Sequence, residues 1–216
     1  MTNNDGLRRA AIAACETLLA EEENTIPANI AALCAGLYNT AVKPYSRIEK
    51  DFANPPFAYY SMTKKLLAAV MKSEGAGQPQ NIILYSDIPW VGTAREVRFA
   101  IAHELGHLAL NHQEESVQAD KEADCFALCL LCPVPVLDAL APSAPRAVSA
   151  VFHLPYDQAG KAFYGADRLR GLIPRELYSQ LHLHYDLSGQ GLARIRAGWA
   201  ARASGEKMTG VPVAKE

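Results

Sequence analysis

The stretch Phe99-Ala-Ile-Ala-His-Glu-Leu-Gly-His-Leu-Ala-Leu110 constrains this chain more than any other. It contains His103-Glu104-Leu105-Gly106-His107, an H-E-x-x-H pattern. Residues four apart on a helix share a face, so His103 and His107 can grip one metal ion. Glu104 is then the natural general base beside it. Thr93-Ala-Arg-Glu96 reads as a capping box, which predicts a helix from there to about His112. On its wheel Val97, Ile101, Leu105 and Leu108 form an apolar face, and Phe99 and Leu110 flank the histidines. Only a narrow stripe of Arg95, Arg98, Ala102 and Ala109 suits solvent, so a mostly buried helix is expected. Imidazoles and a carboxylate in such surroundings are costly unless partnered, and a metal ion removes that cost for the histidines. The plainer alternative is a buried helix whose histidines are satisfied by hydrogen bonds.

A catalytic zinc usually takes three protein ligands and keeps one position open for water. A second helix is expected from about Ser116 to Cys132, stopped by Pro133, and it carries Asp120-Lys-Glu-Ala-Asp124. Asp120 lies beside the apolar stripe of Ala119, Ala123, Phe126, Ala127, Leu130 and Leu131. Glu122 falls on the far side with Gln118, Cys125 and Cys129. Asp120 is therefore the better third ligand, and Glu122 stays open as a second choice. Asp124, one turn on from Asp120, can accept a hydrogen bond from a ligand histidine and fix its tautomer. The bland reading of these acids is a solvated helix face.

The remaining chain is read more coarsely. Helices are expected at Leu7–Glu23 after a disordered start, from Pro27 to about Gly36, and at Ser61–Ser73. Thr40–Ile48 reads as an extended segment that Pro44 pushes to a sheet edge. Residues 49–60 are irregular, and Glu74–Pro79 is a loop. Asn81–Ser86 is the best strand, and it is expected beside the central helix. Pro133, Pro135, Pro142 and Pro145 suggest a linker or bend. Helices follow at 147–153, 156–170, 174–182 and 192–203, and 204–216 reads as a flexible tail.

A chain of 216 residues can bury a sizeable core. Its net charge of -2 advertises neither nucleic-acid nor membrane binding through bulk electrostatics. The five cysteines are odd in number and lack the spacing of a secreted disulfide framework, which points to a reducing compartment. Cys125, Cys129 and Cys132 lack a fourth ligand for a cluster and read as small buried hydrophobes. With no apolar run long enough to span a bilayer, a cytoplasmic protein is expected.

The sequence resembles the ImmA/IrrE metallopeptidase family. The likeness rests on His103 through His112, on Glu122-Ala-Asp-Cys-Phe-Ala-Leu-Cys-Leu-Leu-Cys-Pro133, and on the Arg98-Phe-Ala-Ile-Ala lead-in. Asn81–Asp87 and the Ile26–Leu33 helix add to it, so that it covers roughly residues 20–135. It implies an α+β, zincin-like fold, mostly helical, with a small mixed or antiparallel sheet beside the H-E-x-x-H helix and a helical C-terminal part. The expected division is a metallopeptidase domain over 1–135, a helical region over 136–203 packed on it, and a tail. In that family the third ligand is a Glu four positions before the Asn or Asp of the second motif. That position is Asp120 here, and the shorter carboxylate requires its helix to sit closer or in another register. The implied activity is zinc-dependent hydrolysis of a peptide bond, with one Zn²⁺ on His103, His107 and Asp120 and with Glu104 as base. A second electrophile could come from His112, His153, His182, His184 or a tyrosine, and nothing in the sequence chooses. An edge strand receives the substrate in such peptidases, which suggests Asn81–Ser86 here. The implied partner is a specific protein, plausibly a helix-turn-helix repressor of a prophage or mobile element. No direct nucleic-acid or membrane contact is expected. The competing reading is a catalytically weak or inactive metal-binding module that regulates a partner by docking.

Overall fold

Two periodicities position the site: a two-residue alternation in the sheet and a helical stripe in the element laid against it. The computed structural model describes residues 3–21, 24–47, 67–72, 81–88, 90–114 and 116–203. The elements run α1 (Asn3–Leu19), α2 (Ile30–Tyr38), β1 (Thr40–Pro44), β2 (Ala68–Lys72), β3 (Asn81–Tyr85), α3 (Ala94–Ala109) and α4 (Val117–Leu131). Then follow α5 (Val134–Leu140), α6 (Pro145–Phe152), α7 (Tyr156–Tyr164), α8 (Ala166–Leu172), α9 (Arg175–His184) and α10 (Gln190–Ala203). The class is α+β, mostly helical with a small mixed sheet, as expected.

The sheet order is β1-β3-β2, with β3 parallel to β1 and antiparallel to β2. Val42, Ile83 and Val70 are register partners and face the main core. Ala41, Ile82 and Met71, also partners, face the opposite side, where Ile82 and Leu84 pack on Tyr45. This is the alternation a pleated strand imposes. Pro44 ends β1 at the sheet edge, where its missing N–H costs no ladder bond. Asn81–Ser86 lies beside α3 as expected, but β3 is the central strand. Its backbone groups are taken on both sides, so it cannot receive an added strand.

The helix expected at Ser61–Ser73 is a strand where it is described. Leu66, Leu67, Val70 and Met71 mimic a helical face, but a short apolar run does not distinguish the two periods. Pairing of Ala68–Lys72 with β3 decides for the strand. Residues 61–66, the irregular 49–60, the loop Glu74–Pro79 and the tail 204–216 lie outside the described residues. The disordered start is corrected too, since α1 begins at Asn3. Pro27 precedes α2, which starts at Ile30 behind an Asn29 cap. The proline-rich stretch bends as expected, with 48° between α4 and α5 and a further bend at Ser143 and Ala144, but it also holds a helix: Pro133 caps α5, and Pro135 and Pro145 sit in first turns, where a missing N–H costs nothing. The helix expected at 156–170 is two, meeting at Gly165.

α3 lies against β2 and β3 on one side and against α4, and α1 packs on α4. One apolar cluster takes residues from α1 through α10. The solvent stripe expected on α3 is reduced to its first residue, since Arg95 is exposed and the others are not. Ala102 is fully buried, and Arg98 reaches inward to donate to Ala28 O at 2.8 Å. Burial lowers the Arg98 pKa to about 10. Among the described residues no single helix is long and apolar enough to cross a membrane. Only α4 with α5 passes as a pair, bent by 48°, and both helices are buried in the core.

Candidate metal centre

The local sequence fixes both ends of α3. Thr93 Oγ1 accepts from Glu96 N at 3.3 Å, and Glu96 Oε2 accepts from Thr93 N at 2.7 Å, completing the expected capping box. The other end comes earlier than the expected His112. Leu110 is the cap, and Asn111 turns left-handed with φ 54°. Asn111 N donates to Leu108 O and His112 N donates to His107 O. This Schellman closure satisfies the last carbonyls of α3 and folds His112 back over His107.

α4 starts from Ser116, whose hydroxyl accepts from Ala119 N at 3.1 Å. It crosses α3 at close range because Gly106 has no side chain. A Cβ there would stand 3.1 Å from Ala123 Cα, from Ala123 O and from Phe126 Cδ1. This close approach brings the short Asp120 to the histidines, the condition that its shortness imposes. Ligand atoms of His103, His107 and Asp120 all lie within 4.8 Å of one another. His103 Nε2 is 3.0 Å from His107 Nε2, and Asp120 Oδ1 is 3.7 Å from His107 Nε2. The Asp120 side chain is 59% exposed, so the group opens to solvent. Glu104 sits half-buried next to His103 along α3. Glu122 points elsewhere, to Arg9, Gln118 and His112.

Each histidine has its other ring nitrogen engaged. His103 Nδ1 is 2.9 Å from Asp124 Oδ1. A carboxylate only accepts, so Nδ1 carries the proton and the neutral ring leaves Nε2 with a lone pair. His107 Nδ1 is 3.0 Å from His112 Nδ1, while His112 Nε2 faces Glu122 Oε2 at 3.4 Å. By the same rule His112 donates through Nε2 and accepts at Nδ1, so His107 donates through Nδ1 and also leaves Nε2 bare. Two lone pairs 3.0 Å apart, with a carboxylate beside them, require a proton or a cation between them. The donor set thus fits a divalent ion such as zinc.

The titration of the pair agrees. Burial disfavours the charged form of His103, but the hydrogen bond and charge of Asp124, with the charges of Glu104 and Asp120, outweigh burial and raise its pKa. Burial lowers the pKa of His107, and the charges of His103 and His112 push the same way. The two rings are thus biased apart, His103 toward its charged form and His107 toward its neutral one.

This arrangement has the form of a metallopeptidase centre: a helix-borne H-E-x-x-H joined by a carboxylate from the next helix. Residues 48–153 match the family model of peptidase family M48, whose members are metal-dependent and usually use zinc. The match supports a zinc metallopeptidase family and does not single out ImmA/IrrE. No curated protein and no solved structure matches the chain.

Sequence reasoning placed the three grouped residues and the Asp124 hydrogen bond. It missed what His112, Glu122 and Arg9 do. The available signal was Asn111, a residue suited to the left-handed position that ends a helix. Among the other candidates for a second electrophile, His153, His182 and His184 do not join the group.

Proposed function

We propose that the chain is a zinc-dependent endopeptidase that cuts a peptide bond in a specific protein substrate. The observation that carries this reading is the convergence of His103 Nε2, His107 Nε2 and Asp120 beside Glu104. In this reading His103, His107 and Asp120 hold the ion. Bound zinc would acidify water and polarise the scissile carbonyl. Glu104 takes the proton from the attacking water and delivers it to the leaving amine. The part-buried histidines each have a hydrogen-bond partner on the ring nitrogen away from the group, and the open Asp120 side leaves room for an extended substrate. The match to a peptidase family supports hydrolysis as the chemistry.

The finer reading rests on the resemblance of His103–His112 and Glu122–Pro133 to the ImmA/IrrE family. It makes the substrate a helix-turn-helix repressor of a mobile element and sets the work in the cytoplasm. The test uses the purified chain, zinc and, as candidate substrate, any helix-turn-helix repressor found encoded next to its gene. Glu104→Gln keeps the ligands and removes the base. It is expected to lower cleavage by about 100-fold or more while zinc stays bound. Cleavage at the original rate would refute the mechanism. Repressor inactivation that survives Glu104→Gln without any cleavage would establish the docking module instead.

A further inference from the structure

A continuous chain of side chains runs from α1 to the candidate metal centre. Arg9 Nη2 donates to Glu122 Oε2 at 2.7 Å, and Gln118 Nε2 donates to Glu122 Oε1 at 2.9 Å. Glu122 Oε2 in turn faces His112 Nε2, and His112 Nδ1 meets His107 Nδ1. The His112 and Glu122 side chains are only 10% and 5% exposed. Burying an imidazole and a carboxylate is costly unless each polar atom is partnered, and here each is.

Tying α1 to α4 requires only Arg9 and Glu122. His112 adds nothing to that clasp, yet the Schellman turn at Asn111 seats it between Glu122 and His107. α1 is also shaped around Glu122: a methyl group at Gly6 would overlap Glu122 Oε1. The carboxylate is therefore held in one place by Arg9, Gln118 and the shape of α1.

We propose that His112, oriented by Glu122, is a positioning residue for His107: it accepts the His107 Nδ1 proton and fixes that ring with Nε2 bare and aimed at the ion. This rests on the zinc-site reading above. Glu122, already accepting from Arg9 and Gln118, accepts from His112 as well and sets its tautomer. His112 passes that choice to His107. Asp124 does the same for His103 directly, so the two ligands are oriented by separate arms. Arg9 lies outside the segment that matches peptidase family M48, so the second arm draws on a helix beyond the matched segment.

The test compares the full-length protein with His112→Ala and Glu122→Gln. Zinc affinity is measured by competition with a chromogenic chelator. The visible spectrum of the cobalt(II)-loaded protein reports ligand geometry, and apo-protein melting reports the fold. Glu122→Gln keeps the volume, but its amide can donate to His112, reversing the tautomers and placing a proton on His107 Nε2. Both variants are expected to bind zinc about 10–100-fold more weakly, with an altered cobalt spectrum. A purely structural role would instead lower apo-protein melting and leave affinity and spectrum unchanged in the folded protein. That result overturns the proposal while the zinc site stands. A wild-type chain that binds no zinc overturns the site reading itself.

Discussion

Gly106 sets how near α4 comes to α3, and with it how close Asp120 stands to the two histidines. Ala has the higher helix propensity by about 1 kcal/mol, so on an exposed helix Gly106→Ala would stabilise. Here the new methyl group meets two backbone atoms of Ala123 and the Phe126 ring, each at 3.1 Å. Backbone atoms have little freedom to give way. Overpacking of this kind costs about 1–3 kcal/mol and should outweigh the propensity gain. Gly106→Ala is therefore expected to lower the melting temperature and, by pushing Asp120 outward, to weaken zinc binding. A higher melting temperature with unchanged zinc affinity would refute this account. The glycine is visible in the sequence, but its partner is not: nothing local says that Ala123 will face it.

At the scale of elements, three of the helices after α4, namely α5, α8 and α9, are joined by one carboxylate. Asp138 on α5 accepts from Arg170 Nε at 2.9 Å and Nη2 at 2.6 Å, both on α8, and from the Tyr178 hydroxyl on α9 at 2.8 Å. Arg170 is partly exposed, which discounts the ion pair, but the tyrosine bond is better shielded. Asp138→Ala is expected to cost about 1–2 kcal/mol, read as a lower urea midpoint with an unchanged slope. Because Asp138 touches none of the grouped residues, zinc affinity should not move. Helix boundaries were legible where the signal was local, as with Thr93 and Glu96 at the start of α3, or Ser116 and Pro133 at the two ends of α4. The strand at Ala68–Lys72 was not, because five residues read equally well as helix or strand until β3 supplies the hydrogen bonds. The prolines between α4 and α6 marked the bends but hid the short helix between them, for a related reason. A proline breaks a helix interior yet suits its first turn, and only the packing of Val134–Leu140 shows which case applies.

Over the whole molecule, the five cysteines report on the integrity of the core. All are free and buried. Burial pushes the Cys15 and Cys34 thiols up to about 12, and raises Cys132 too. Cys125 and Cys129 share a hydrogen bond that lowers the first and raises the second. Thiolates are the reactive form, and a buried sulfur is closed to reagent whatever its pKa. The native protein is expected to show no fast labelling by a water-soluble disulfide reagent at pH 8, and all five thiols should react on unfolding. If one thiol reacts in a burst before the helical signal is lost, the core opens locally and this expectation fails.

The sequence by itself determined what depends on near neighbours. Residues four apart on a helix share a face, so His103 and His107 follow from the pattern, and Glu104 follows with them. A capping box is likewise local, and helix geometry alone ranked Asp120 over Glu122. Tertiary structure decided whatever needs two distant segments to meet. It set α4 against Gly106, which lets a short carboxylate reach the histidines. It made Asn81–Tyr85 a central strand by pairing both of its edges. It also brought Arg9 to Glu122, which lies 113 positions along the chain. Together with the turn at Asn111, that contact shows why the His112 imidazole, just past the end of α3, is buried against His107.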